Sequence, residues 1–332
     1  MTARGVAAAP GRARPVGVPR AGWRVVAAKE TADHLLSTRF TVLLLLVALS
    51  AVGAVYAASG GIREVAEQAQ GLPGVFLLLF TAAPERLPSF VTLVGFLAPL
   101  LGIAFGFDAV NGERAGRTLP RLVAQPIRRD DVINGKFAGG LAVIASVLAA
   151  LTLLVAGLGI VRLGIVPSAE EVARLLAWLV VTVAYAGFWL ALATALSVVL
   201  RRAATSALVA IAAWLCLTLF AGFLVGLAAD AIAPVPADAT PEQQLANLRA
   251  QVWLGRLSPR VLYDEATLVL LNPQARVVGF FFDQQLDQAI PSPLPLDQSL
   301  LVVWPQLVGL VALCVLCFAA AYVLFMRQEI RA

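Results

Sequence analysis

Six stretches of this chain, residues 40–58, 87–107, 137–161, 175–200, 203–229 and 298–326, carry no Asp, Glu, Lys, Arg or His. A helix needs about 17–25 apolar residues to cross the hydrocarbon core of a bilayer, and each stretch reaches that length. A soluble domain carries roughly 25% charged residues. Here 14% of 332 residues are charged and 60% are hydrophobic. No water-soluble core absorbs six such runs, and in lipid a helix satisfies its own backbone hydrogen bonds. The expected fold is an all-α polytopic membrane protein with six transmembrane helices.

Basic residues set the expected orientation, because cytoplasmic loops hold an excess of Lys and Arg. With a cytoplasmic N-terminus and six crossings, seventeen of the 25 basic residues fall inside and eight outside. Arg201-Arg202 and Arg327 with Arg331 are then on the cytoplasmic side, as are both termini. This distribution accounts for the net charge of +5 without a nucleic-acid partner. The run 68–84 is apolar over a short stretch and bracketed by Pro73 and Pro84, so it reads as a re-entrant or interfacial piece on the outer face.

Residues 1–22 are basic and rich in Pro, Gly and Ala, the composition of a disordered tail beside anionic headgroups. Residues 23–39 show helical periodicity. Val25, Ala28, Ala32, Leu35 and Leu36 share one face, with Lys29, Glu30, Asp33 and His34 on the other. Such a helix lies in the membrane interface and turns into the first span near Arg39. Residues 230–297 form the one outer segment long enough to fold, and read as a small, solvated, extracytoplasmic helical cap. Ser258-Pro259 opens a helix in it and Asn272-Pro273 closes one.

The spans are chemically quiet. A charge at mid-bilayer costs about 2.5–3.5 kcal/mol on the insertion scale, so its absence disfavours an ion-coupled carrier or an intramembrane enzyme. Cys314 and Cys317 have C-x-x-C spacing but sit in an apolar helix without a second ligand pair, and His34 is the sole histidine, so no metal site is expected. Gln306 is the polar residue in a span best suited to line a pathway.

Between the second and third spans lies a charged cytoplasmic loop, residues 108–136, with a short amphipathic helix expected from Glu113 and a break at Gln125-Pro126-Ile127. Periodicity leaves two readings open: a docking surface, or a loop whose charges only satisfy orientation. Gly112-Glu113-Arg114, Gly116, Thr118-Leu119, Leu122, Pro126-Ile127, Arg129 and Gly135-Lys136 resemble the signature loop of ABC-2 type permeases, the membrane subunits of ATP-binding-cassette systems. Lys29-Glu30 and Ser37-Thr38-Arg39-Phe40 are similar to the entry segment of the same family. The closest branch in pattern is the permease of the nitrous oxide reductase maturation system.

The resemblance implies specific roles. Residues 23–39, with Lys29, Glu30 and Arg39, become an elbow helix. The loop becomes a coupling helix, with Glu113, Arg114, Gly116, Thr118, Leu119, Leu122, Pro126, Ile127 and Arg129 meeting a separate ATPase subunit. Pro120 departs from the expected helix former. Gly135-Lys136 lacks the upstream glycine and following Ser/Thr of a nucleotide-binding loop, so ATP and magnesium belong to the partner and the chain is not itself an enzyme. The implied protein is a permease subunit in a prokaryotic plasma membrane, paired with a second copy or a paralogue and moving a substrate, in the export direction. The alternative is a mechanical role, relaying ATPase motion to an extracytoplasmic partner at 230–297. The remaining segments are the spans within 40–229, the last span at 298–326 and a cytoplasmic tail at 327–332.

Overall fold

A computed structural model describes residues 22–38, 40–42, 44–50, 52–53, 56, 74–83, 88–116, 127–236, 238–272 and 294–328. The expectations for the tail at 1–22, for Arg39, Thr118, Leu119, Leu122 and Pro126, and for 329–332 lie outside these residues. Among the described residues every regular element is a helix. In chain order they are α1 (Gly22–Leu35), α2 (Phe40–Ser50), α3 (Leu78–Thr81), α4 (Phe90–Gly106), α5 (Asn111–Ala115) and α6 (Arg129–Leu163). There follow α7 (Ala169–Val199), α8 (Ala203–Leu219), α9 (Ala221–Ile232), α10 (Pro241–Gly255), α11 (Pro259–Leu271) and α12 (Leu296–Arg327).

Four segments, Phe90–Ala115, Arg129–Arg162, Ala169–Val199 and Leu296–Arg327, are long and apolar enough to cross a membrane. Six spans are reached if each of two bent pairs is one span: α1 with α2, bent by 60°, and α8 with α9, bent by 63°. The second bend was not expected, since the run 203–229 reads as one uninterrupted helix.

Helix α7 is the axis of the bundle. Its Trp178, Tyr185 and Trp189 are fully buried, with α4, α6, α11 and α12 packed around it. Lipid gives helices no hydrophobic reason to associate, so close backbone approach at small residues must do it. Gly102 and Gly106, one turn apart on α4, supply that approach. A Cβ on Gly102 would stand 2.5 Å from the Ala186 carbonyl oxygen, and one on Gly106 would stand 2.8 Å from that of Leu190. Helices α4 and α12 continue through Pro99 and Pro305.

One sequence reading is sharpened and one is corrected here. Of the run 68–84, read as a re-entrant or interfacial piece, the described residues 74–83 are packed into the bundle. Phe76, Leu77, Leu79 and Phe80 point into the core, Phe80 stacks edge-on with Phe90, and the Phe76 amide donates to Glu171 at 2.9 Å. Helix α11 is not part of a solvated cap. Val261, Leu262, Tyr263, Ala266, Val269 and Leu270 are buried against α4, α7 and α12. Its mixed composition reads as solvated because the charges are counted singly, whereas Arg260 and Asp264 pair one turn apart at 2.6 Å. Among the described residues, α10 and the stretch before it keep the largely exposed character expected of the cap.

Candidate coupling site

The second span ends at Gly106, and a turn over 107–110 delivers α5, which carries Glu113 and Arg114. The last carbonyls of a helix have no partner within it. At the end of α7 this segment provides the partners. The amides of Val110 and Asn111 both donate to Ser197 Oγ, at 3.0 and 3.1 Å. Arg114 donates to the Val198 carbonyl at 3.2 Å and to the side chain of Gln328, just past the end of α12. Gln328 in turn donates to the Val198 carbonyl at 2.8 Å, and Arg129 donates to the Gln328 carbonyl at 3.3 Å. A guanidinium beside helix C-termini also complements their partial negative charge. The arginines of the loop therefore tie the ends of α7 and α12 to the start of α6.

A second set of contacts brings in α1. Lys136 Nζ lies 2.8 Å from Glu30 Oε1 and 3.2 Å from Glu113 Oε1, with Lys136 only 7% exposed. One buried ammonium thus joins α1, α5 and α6. Helix α1 reaches it because α6 is bare along one face: a Cβ on Gly135 would sit 2.5 Å from Val26, and one on Gly139 would sit 2.9 Å from the Ala27 carbonyl oxygen. Asp131 accepts from the Trp23 amide at 3.1 Å at the start of α1, where a carboxylate is favourable. His34 lies against Phe105 with ring centroids 4.8 Å apart. The opposite face of α1, with Val25, Leu35 and Leu36, stays exposed, Leu36 by 86%.

The structure therefore sorts the sequence-selected residues. Glu30, Glu113, Arg114 and Arg129 converge. Lys29 instead pairs with Asp33 at 2.9 Å on the exposed side, an arrangement that contributes little. Gly116 ends α5 in an exposed position, and Ile127 packs beside a small cluster of Val110, Val132 and Phe325. The charged groups of Glu113 and Arg114 are engaged inside the chain, so they fix the base of the segment 117–126 rather than project from it. Lys136, Ser197 and Gln328 were missed. The signal for Lys136 was present, as a lone ammonium at the mouth of an apolar run beside a Gly-x-x-x-Gly spacing.

At the other end of α7, Arg174 is 1% exposed. It donates to Glu170 at 2.9 Å, to the Leu270 carbonyl at 3.1 Å, to Ser299 Oγ at 3.2 Å and to the Leu294 carbonyl. Gln306, selected as a pathway residue, is also 1% exposed and donates to Glu265 Oε2 at 3.0 Å. It joins α12 to α11 at a helix–helix contact. Burial pushes the Asp264 carboxyl above its ordinary value, and Arg260 opposes that shift.

The whole chain can be placed among known proteins. Residues 24–330 match the model of a family described as "ABC-2 family transporter protein". A relative from Pseudomonas aeruginosa, called "Probable ABC transporter permease protein NosY", is 32% identical over 148 residues, 44% of this chain and 46% of the relative. The protein of the same name from Stutzerimonas stutzeri is 33% identical over 114 residues, 34% of this chain and 37% of the relative. The chain thus matches less than half the length of each relative. The family match covers nearly the whole chain and agrees with the loop signature: this chain belongs to the ABC-2 family of transporter proteins.

Proposed function

We propose that this chain is the membrane permease subunit of an ABC transporter, driven by a separate ATPase subunit that binds ATP and magnesium. It works beside a second copy or a paralogue in a prokaryotic plasma membrane, with both termini cytoplasmic, and moves its substrate outward. The observation that carries this reading is the buried Glu30–Lys136–Glu113 triad. A force applied at 117–126 reaches the elbow helix, the end of the second span and the start of the third through that one contact. Arg114 passes the same force to the ends of α7 and α12. The expected ATPase contacts then fall on 117–126, with Glu113 and Arg114 as the positioning residues behind them.

The test is affinity purification of the chain in mild detergent with its ATPase subunit, followed by ATPase assay in the reconstituted complex. Glu113→Arg places a second cation against Lys136. It is expected to leave the chain in the membrane and to lower permease-dependent ATPase stimulation about 5- to 150-fold, the range of a 1–3 kcal/mol coupling energy. Unchanged stimulation would remove Glu113 from the coupling path. For orientation, a reporter fused after Arg202 is expected to read cytoplasmic and one near Ala246 external. If both read cytoplasmic, the α8–α9 bend is a re-entrant turn.

A mechanical relay to an extracytoplasmic partner is favoured by one feature. Helix α7, 31 residues or about 46 Å long, is bonded to the loop at Ser197–Val198 and to α11 and α12 through Arg174. It connects both ends of the bundle as a single rod. Substrate flux in proteoliposomes separates this reading from transport.

A further inference from the structure

Where α8 breaks into α9 at Phe220, the chain opens a cavity of about 470 Å³. Thr218 and Leu219 on one side of the break and Gly222 and Val225 on the other form one wall. Phe96 of α4 and Val252 of α10 close the sides. Ser258, the residue before α11, donates through Oγ to the Leu217 carbonyl at 3.3 Å, fastening the last turn of α8 beside the break. The floor is α11, where Arg260, Val261, Asp264 and Glu265 recur at helical spacing on one face.

The walls are apolar and the floor is not. Arg260 and Asp264 satisfy each other at 2.6 Å. Glu265 is different. It is 6% exposed, and both of its contacts, the Gln306 amide at 3.0 Å and Arg256 at 3.8 Å, fall on Oε2. No described residue takes Oε1. That oxygen borders a space large enough for an organic molecule and is open to a donor bound in it. Arg260 and Arg256 balance the charges of Asp264 and Glu265, so what selects a ligand here is the acceptor oxygen Oε1, which takes a donor and turns away an anionic head.

We propose that this cavity is a binding site for an amphiphilic amine, with its ammonium donating to Glu265 Oε1 and its apolar body lying along Phe96, Leu219, Val225 and Val252. A neutral amide head makes only an uncharged hydrogen bond to that oxygen, about half as strong as that of an ammonium, and an anionic head meets Asp264 and Glu265. The site deepens the permease reading by naming a substrate class. Binding itself requires no ATPase, so the two stand or fall separately.

The experiment uses the full chain in nanodiscs without its ATPase. The probe is dansylcadaverine, an apolar fluorophore bearing one primary ammonium, and the control is its N-acetylated form. Saturable binding with a blue-shifted emission is expected, with the acetylated form at least about tenfold weaker, equivalent to about 1.4 kcal/mol. Glu265→Gln is expected to erase the difference between the two probes. Gly222→Trp fills the cavity, and no atom lies within 4 Å of a Cβ built there, so the variant is expected to fold and to lose binding of both probes. Equal affinity for the two probes, or full binding by Gly222→Trp, overturns the proposal. ATPase stimulation that fails in a complex whose permease still binds the amine counts against the coupling reading alone.

Discussion

Lys136→Met is expected to destabilise the chain by about 3–5 kcal/mol, the usual cost of removing one partner from a buried ion pair. The substitution roughly preserves the volume of the side chain, so packing against α1 is retained. What it removes is the one ammonium between Glu30 and Glu113, whose nearest oxygens lie 2.8 and 3.2 Å from it. Two carboxylates then face each other at an interface with little water. A thermal melt of the purified protein should show the loss, together with faster cleavage near the junction of α1 and α2. Adding Glu30→Gln and Glu113→Gln to Lys136→Met removes the two carboxylates that faced the ammonium and is expected to recover most of the stability. A stable single variant would mean that the triad does not hold α1 to α6, and the coupling reading would lose its main support.

Gly102→Leu is expected to be the most damaging single change within a span. The first added carbon already falls 2.5 Å from the Ala186 carbonyl oxygen and 2.8 Å from the Leu190 amide nitrogen. Both are backbone atoms of the central helix and have no rotamer by which to give way. Overpacking costs about 1–3 kcal/mol where side chains can move, and here the helix itself must shift. The control is Gly157→Leu in α6, where no atom lies within 4 Å of a new Cβ and the change is expected to stay within about 0.5 kcal/mol. The fraction eluting as a monodisperse peak in detergent distinguishes the two. Equal yields would show that α4 and α7 are not held at this contact.

Hydropathy made the apolar elements legible because a bilayer imposes one length and one secondary structure on them. The bend at Phe220 was not legible. No proline marks it, and Gly222 lies past the break. The elbow residues Lys29 and Glu30 look equivalent in sequence, being adjacent and oppositely charged. Only the approach of α6, permitted by Gly135 and Gly139, decides that Glu30 is buried and Lys29 is not. Gly135-Lys136 was visible as the end of the loop signature and as a nucleotide loop that fails its pattern. Its use as a packing face and a shared cation depends on residues more than 100 positions away. Gln306 was read as a pathway residue because its partner Glu265 lay in a segment that read as external.

The seat of α11 in the core bears on how the chain is assembled in the membrane. Insertion proceeds from the N-terminus, and α4, α6 and α7 enter long before residues 259–271 are made. Until then Tyr185 has no Tyr263 to stack on, the ring pair having centroids 4.6 Å apart in the finished bundle. The apolar face of α11 therefore joins helices that precede it in the chain, and Arg174 secures α11 and α12 by bonds to Leu270 and Ser299. A chain that ends before residue 259 lacks the side chains that cover this part of α4 and α7, and it is expected to be cleaved faster by added protease than the full chain.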